Sequence, residues 1–278
     1  MFGPESGNAL NATSDVTGVY LEQGKFAQAE ALDRLALGIG RRVFGPGTPM
    51  AAWFVGLLLS DYCLQGKHAQ VEALFQEALE SNPTNPFSLK YLAWSRLTLP
   101  DRRHRRPQEA LQLARRAVKG EPREVEFYLT LGMAAYRNEL WDEAIANLNR
   151  AAEMDKGNVP TDFFFLAMAH WNRGDKGEAE QFFQRGVERA SKTAAADMEL
   201  RMFWSEAAEL LGKPGPVPTL FEAQAEPERV MASLKRGVAA GRFDAATLET
   251  SPDLAPLRGR ADFRALLRTA RSPAKSAR

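Results

Sequence analysis

The chain has 278 residues, a mass of 30.8 kDa and a net charge of +1, from 36 basic and 35 acidic residues. Because the charges balance, the composition gives no global reason to bind nucleic acid or an anionic membrane. Apolar residues make up 45% of the chain and charged residues 26%, which argues against wholesale disorder.

The rarer residue types exclude several kinds of site. The single cysteine, Cys63, rules out an intramolecular disulfide and a zinc site built from cysteines. His68, His104 and His170 are far apart in the sequence, so we expect no metal and no cofactor. The longest apolar run, 50–59, is too short to span a bilayer, and the N-terminal residues lack a signal-peptide pattern. With 43 alanines against two isoleucines, these features predict a soluble, cytoplasmic, all-helical chain.

A helical-hairpin pattern recurs five times along the chain. The small residue that opens each second helix recurs in steps of 42, 39, 34 and 35, at Ala29, Val71, Ala110, Ala144 and Ala179. A second small residue follows seven positions later in every copy. Small residues at these two points allow two helices to approach closely, so the pattern predicts five packed helix pairs.

Two insertions interrupt the regular spacing. The first copy has extra residues through 40–49, where the sequence GPGTP predicts a loop. The third copy has extra residues in 99–107, which hold four arginines within 102–106. Two interpretations of this basic loop stay open, a docking patch for acidic or phosphorylated partners and a solvated loop. The basic residues that follow Leu257 allow the same two interpretations.

The five copies resemble the tetratricopeptide-repeat (TPR) family, whose unit of about 34 residues carries aromatic, small and proline positions. The match is clearest in the fourth copy, at Tyr128, Leu131, Gly132, Ala144, Leu148 and Ala151. The long first step resembles the repeat of kinesin light chains. The resemblance covers about residues 11–212 and implies an all-α, right-handed α-solenoid of about five hairpins.

The end of the chain has a different composition. Residues 213–227 contain four prolines and predict a linker. Residues 228–278 predict short amphipathic helices, whose apolar residues require a partner. Two positions for them stay open, as a cover of the last repeat or inside the groove. We therefore expect a repeat superhelix over 1–212, a proline-rich linker over 213–227 and a helical C-terminal cap over 228–278.

A second resemblance concerns function. The stretch 107–188 and the tail 251–267 are similar to the C-terminal repeat region of large bacterial Ser/Thr protein kinases of eukaryotic type. This resemblance implies a regulatory relative rather than an active kinase, because the chain has no Gly-rich phosphate loop, HRD or DFG motif. An unrecognised enzyme that uses Cys63 or His170 is a further hypothesis, with packing as the simpler interpretation of both residues.

By analogy with the family, the first helix of each pair lines a concave groove. The residues predicted to bind a peptide share the inner face of the third to fifth first helices: Lys90, Trp94, Leu129, Met133, Tyr136, Arg137, Phe164, Met168, Trp171 and Asn172. We predict a non-catalytic scaffold that binds a protein or peptide partner in this apolar, aromatic groove. The alternative is a regulatory or recruitment region derived from a Ser/Thr kinase. We expect neither nucleic-acid nor membrane binding, and the oligomeric state stays open.

Overall fold

The computed structural model describes residues 7–99, 102–190, 198–213, 215–218, 223–224 and 227–271. Over this part of the chain the regular secondary structure is entirely helical. The predicted pairs are present as five helical hairpins, formed by α1 (Gly7–Glu22) with α2 (Phe26–Phe44), α3 (Pro49–Leu64) with α4 (His68–Ser81), α5 (Pro86–Thr98) with α6 (Pro107–Gly120), α7 (Val125–Arg137) with α8 (Trp141–Met154), and α9 (Pro160–Arg173) with α10 (Lys176–Ala190).

Local sequence signals explain where these helices begin and end. Proline occupies the first helical position of α3, α5, α6 and α9, where its missing N–H costs no hydrogen bond. The side chains of Thr48 and Asn85 cap α3 and α5 by accepting hydrogen bonds from the backbone N–H groups of Ala51 and Ser88. At the end of α9, Gly174 adopts a positive φ of 106°, which glycine tolerates at a helix C-terminus.

The predicted close approaches between paired helices are confirmed. A Cβ at Gly132 would lie 2.6 Å from Leu148 Cγ, and one at Gly186 would lie 2.9 Å from Phe164 Cε1. Ala110 and Ala144 are completely buried. The small residues that set the repeat therefore do so because a larger side chain has no room.

The two insertions differ in form. In the first, α2 continues through Phe44, and the loop is confined to residues 45–48. The loop predicted from GPGTP (45–49) starts at the right residue and is one residue too long at its end, because Pro49 starts α3. In the second, Arg102–His104 form one 3-10 turn between α5 and α6.

One apolar core runs through the stacked hairpins and ends on α11 (Met198–Leu211). The first helices α3, α5, α7 and α9 lie side by side along this core. A separate apolar cluster holds together α12 (Pro227–Ala239), α13 (Ala245–Thr250), a 3-10 turn (Pro252–Leu257) and α14 (Ala261–Arg271). Leu234, Leu254 and Phe263 are completely buried in that cluster. The boundaries proposed for the linker and the cap stay predictions.

Polar contacts join this C-terminal cluster to α11. Arg201 pairs with Asp253 at 2.8 Å and also donates to the carbonyl oxygen of Val217. Arg229 and Arg236 pair with Glu209 at 2.8 and 3.2 Å. Residues 227–271 thus contact α11, which itself packs against α9 and α10 of the last repeat.

Candidate functional site

The inner face of the first helices divides into a closed half and an open half. Within the closed half, α11 lies against α5, α7 and α9. Phe203 of α11 packs edge-on against both Trp94 and Phe165, with ring centroids 6.2 and 5.1 Å apart. Trp204 stacks on Phe164 at 6.0 Å. A helix of the same chain thereby fills this half of the groove.

An ion-pair cluster fastens α11 in the groove. Arg137 on α7 makes a bidentate pair with Glu206 on α11. Arg102 and Arg105, from the insertion of the third repeat, reach the same carboxylate at 4.0 and 3.9 Å. Burial disfavours the charged carboxylate, but these three guanidinium groups outweigh that cost and hold the pKa of Glu206 well below its usual range.

The basic insertion therefore points partly inward. Arg105 donates to the carbonyl oxygen of Leu99 at 2.9 Å, and Arg106 lies 3.9 Å from Glu72. The neighbouring Arg96 is almost fully buried, pairs with Glu72 and Glu109, and stacks over Phe75 at 3.6 Å. These contacts join α4, α5 and α6 and assign part of the arginine-rich stretch to packing.

The ten residues predicted to bind a peptide have unequal environments. Six are buried, namely Lys90, Leu129, Met133, Tyr136, Phe164 and Met168. Trp94, Arg137 and Trp171 are half-buried, and Asn172 is exposed. Arg137 and Phe164 contact α11, while Asn172 donates to the Tyr136 hydroxyl at 3.4 Å. Lys90, Trp94 and Leu129 line the open half of the groove.

The open half is a groove of about 640 Å³ between α1, α3, α5 and α7. Its walls are mostly apolar and aromatic, and include Leu21, Trp53, Leu57, Tyr91, Trp94, Leu129 and Val159. Trp94 closes one end, because its indole N–H donates to Glu199 of α11 at 2.8 Å. The open groove thus ends where α11 begins.

The sequence analysis missed the part of this groove that comes from the first two repeats. On each first helix, the residue one place after the position of closest approach and the residue three places before it share the inner face. That position is Ala93 on α5, which gives Lys90 and Trp94. It is Thr17 on α1 and Leu59 on α3, and Gly18, Gly56 and Ser60 at the corresponding positions all line the groove. The predicted contacts covered only the third, fourth and fifth repeats. The repeat spacing therefore contained enough information to predict the contribution of α1 and α3 to the groove.

A charged pair lies across the floor of the open groove. The Lys90 ammonium contacts Glu126 at 2.5 Å and sits over the ring of Tyr91, 4.3 Å from its centroid. The Lys90 side chain is 10% exposed, whereas that of Glu126 is 68% exposed. The lysine is therefore largely shielded, and the more accessible charge is the carboxylate.

Two buried carboxyl groups lie close together near α1, and one of them, Asp33, lines the groove. Asp33 on α2 and Asp61 on α3 are 1% and 0% exposed. Thr17 on α1 donates to Asp33 Oδ1 at 2.7 Å. Burial raises the pKa of Asp33 to about 6, and burial together with the charge of Asp33 raises the pKa of Asp61 to about 9. Two such groups cannot both be ionised at low cost, so they share a proton near neutral pH.

The residues of the enzyme hypothesis have structural surroundings. Cys63 is buried in the apolar core. The buried His170 ring stacks on Phe182 and lies 3.3 Å from Asp175. Across the described residues, no group of three or more His, Cys, Asp or Glu side chains is arranged to hold a metal. In the same part of the chain, no helix combines the length and apolar character needed to cross a membrane.

Comparison with known proteins identifies the repeats. Three family models, each described as tetratricopeptide repeat, match residues 9–83, 101–159 and 165–196. No curated protein matches the sequence. The resemblances to kinase-associated regions and to kinesin light chains stay predictions.

Solved structures resemble the fold at low sequence identity. TTC0263, a thermophilic TPR protein of Thermus thermophilus, is 20% identical with a TM-score of 0.51, over 73% of this chain and 98% of that one. PilW, a widely conserved type IV pilus biogenesis factor, is 20% identical with a TM-score of 0.48, over 91% and 99%. YrrB, a TPR protein with an unusual peptide-binding site, is 16% identical with a TM-score of 0.41, over 66% and 87%. The first of these supports the α-solenoid fold.

Proposed function

Because the chain belongs to the tetratricopeptide-repeat family, we propose that it is a non-catalytic interaction scaffold that holds a partner peptide in the open half of its groove. Proteins of this family generally act as scaffolds for other proteins. Of the ten residues predicted from the sequence, the proposal retains Lys90, Trp94 and Leu129 as peptide contacts. It adds Trp53 and Leu57 on α3.

The incomplete burial of α3 is the observation that carries the proposal. Its sequence, PMAAWFVGLLLSDYCL, is apolar on all sides, which is typical of a helix that is enclosed by protein. Nevertheless Trp53, Gly56 and Leu57 are only half-buried, and they face the groove. Apolar surface that the chain itself leaves open in a concave site is a favoured place for a partner's side chains.

The dimensions and chemistry favour a short peptide segment. A volume of about 640 Å³ lies in the range of small-ligand and peptide pockets. Trp53, Tyr91 and Trp94 offer large, rigid surfaces of the kind that dominate binding energy at interfaces. The proposed ligand therefore inserts aliphatic or aromatic side chains between α3 and α5.

Selection from a displayed library of random peptides tests this proposal, with the full chain as bait. Selected peptides are synthesised, and their affinities are measured by fluorescence anisotropy. We expect Leu57→Gln to weaken binding about tenfold or more, because a buried leucine contact contributes about 1.5–3 kcal/mol. Leu140→Gln is the matched control, since Leu140 is an exposed leucine outside the groove.

Two outcomes contradict the proposal. One is a selection that enriches no peptide over an empty support. The other is a set of peptides that bind Leu57→Gln as tightly as the unmodified chain. Circular dichroism of each variant checks that the helical fold is retained.

A regulatory region related to bacterial Ser/Thr kinases is the narrower form of this function, motivated by the similarity of residues 107–188 and 251–267. It uses the same groove to recruit a substrate or partner. Kinase motifs encoded in the same gene upstream of this sequence would support it. A cytoplasmic location is part of the same proposal.

A further inference from the structure

The open groove contains a cleft between α1 and α3 whose floor carries a buried carboxyl group. Gly18 on α1, Asp33 on α2 and Gly56 on α3 line it. A Cβ added at Gly18 would meet no atom within 4 Å, so the space next to Gly18 is open. A narrow side chain has room to enter from the groove.

Asp33 and the neighbouring Asp61 receive few hydrogen bonds for two buried carboxyl groups. Asp33 receives one hydrogen bond, from Thr17, through Oδ1. As carboxylates, Asp33 Oδ2 and both oxygens of Asp61 have no hydrogen-bond partner although they are buried. Asp33 and Asp61 are close enough to hydrogen-bond to each other, which requires a proton on one of them. Buried acceptors without donors are costly, and a positively charged donor is their strongest available complement.

The charges around the groove favour a cation. Its lining includes the carboxylates of Asp33, Glu126 and Glu199, against the single ammonium of Lys90. Lys90 is already paired with Glu126 and is shielded by aromatic rings. An incoming positive side chain therefore meets an excess of negative charge, which attracts it and orients the peptide that carries it.

The nearby charged groups do not neutralise the negative charge of the Asp33 and Asp61 pair. Glu30 on α2 adds negative charge near Asp61, and Lys67, which precedes α4, adds positive charge. The Lys67 ammonium, however, contacts Glu30 at 2.5 Å, where Gln65 and Arg34 also pair with the same carboxylate. Lys67 thus forms its ion pair with Glu30. The polar contact that α1 makes with Asp33 comes from the neutral hydroxyl of Thr17.

We propose that the cleft between α1 and α3 receives the ammonium or guanidinium group of a lysine or arginine side chain on the bound peptide, which pairs with Asp33, the aspartate of the two that lines the groove. This inference rests on the proposed peptide-binding function and specifies its ligand. The peptide combines an apolar or aromatic anchor, which packs against Trp53 and Leu57, with a basic residue at a constant spacing from it. The basic side chain stabilises Asp33 as a carboxylate, and the proton of the pair then stays on Asp61.

Two displayed peptide libraries test the inference with the full chain as bait. One is fully random, and the other has lysine and arginine excluded. We expect enrichment from the random library alone, with a basic residue at one constant spacing from an apolar anchor. Synthetic peptides from this selection are then measured by fluorescence anisotropy against the variants.

Two variants alter the cleft in different ways. Asp33→Asn keeps the acceptor for Thr17 and removes one carboxyl group, and Gly18→Leu fills the cleft while both aspartates stay in place. Each is expected to weaken binding about tenfold or more. Gly38→Leu is the control, because Gly38 is also helical and a Cβ there meets nothing within 4 Å, but it lies outside the groove. We expect binding by this control to stay within about twofold.

The outcomes separate this inference from the proposed function. Enriched peptides without a basic residue overturn the inference and leave the scaffold function intact. Equal binding by Asp33→Asn or by a folded Gly18→Leu variant also overturns it. If neither library yields a peptide, both proposals fail together. Thermal melts check folding, and Asp33→Asn is expected to melt no lower than the unmodified chain because it removes a buried acid.

Discussion

Helices α3 and α9 are both rich in apolar residues, but α9 is enclosed by other helices and α3 is partly open to solvent. Both contain a long run of apolar residues, MAAWFVGLLL in α3 and FFFLAMA in α9. Every residue of α9 from Pro160 to His170 is buried, because α8, α10 and α11 surround it. On α3, Trp53, Gly56 and Leu57 remain half-buried and line a groove.

The difference shows what an aromatic inner face means in this solenoid. Where α11 lies on the face, residues such as Phe164 and Phe165 contribute to stability. Where no helix of the chain covers the face, residues of the same chemistry are available for a partner. The closed half and the open half therefore differ in whether another helix lies over them, and not in their amino-acid composition.

The largest expected effect comes from shortening a side chain in the closed half. Phe203→Ala removes a fully buried ring that contacts Trp94 and Phe165, and we expect a loss of about 3–5 kcal/mol of unfolding free energy. Trp53→Ala, in the open half, is expected to cost about 1–2 kcal/mol because part of its surface is already exposed. Urea denaturation followed by circular dichroism measures both. Equal losses would show that α11 is not a structural cover.

The ion pair that fastens α11 has the next largest effect. Arg137→Met leaves Glu206 charged and buried, so we expect a loss of about 3 kcal/mol. The double variant Arg137→Met, Glu206→Met removes both charges and is expected to recover most of the loss. The same denaturation experiment applies, and a double variant as unstable as the single one contradicts this explanation.

The aspartate pair predicts a pH dependence in the open half. The pKa of Asp61 is raised from 3.8 to about 9, so the folded chain binds more protons than the unfolded chain between these values. Stability therefore falls as the pH rises through this window. Asp61→Asn removes the penalty, and we expect a gain of about 1–2 kcal/mol above neutral pH, with little change near pH 4.

Melting temperatures measured by circular dichroism from pH 4 to about pH 9 provide the test. Asp162 is a useful reference, because it is a second buried acid, on α9, whose pKa is raised to about 8 by burial. Asp162→Asn tests the same effect in the closed half. A melting profile that Asp61→Asn leaves unchanged would falsify the shared-proton description of Asp33 and Asp61.

The smallest expected effect concerns Trp171, a predicted peptide contact in the closed half. The Lys176 ammonium lies 3.6 Å from its ring centroid, and the side chain is half-buried. We expect Trp171→Ala to cost about 1 kcal/mol and to leave peptide affinity unchanged. Trp94→Ala is expected to weaken the same peptides, since Trp94 lines the open groove. A comparable loss of affinity in both variants would extend the binding surface into the closed half.

Much of the fold was predictable from the repeat. The spacing of Ala110, Ala144 and Gly186 indicated the helix pairs, and the structure confirms that these residues pack where the helices approach most closely. The same phase placed Lys90, Trp94 and Leu129 on the inner face. The predicted contacts did not include α1 and α3, so part of the candidate site was missed. Gly18 and Gly56 occupy the corresponding inner-face positions of the first two repeats and line the groove.

Two further features were not predictable, because they depend on contacts between residues far apart in the sequence. Trp94 meets Glu199 across 105 positions, and Arg137 meets Glu206 across 69. No local pattern indicates that α11 crosses back over α5 and α7. Likewise, nothing in the local sequence around Asp33 on α2 or Asp61 on α3 indicates that the folded chain buries the two carboxyl groups close together.

The sequence by itself determined the helices, their pairing and the solenoid, because repeat spacing and small residues act over short distances along the chain. The tertiary structure alone decided which half of the groove is closed, where two aspartates are buried together and which glycines border an open cleft. The physical reason is that helix formation and hairpin packing depend on neighbours in the sequence. Burial and electrostatic environment depend on whatever the folded chain places beside a residue, which is α11 in the closed half of the groove and α1 to α3 around the two aspartates.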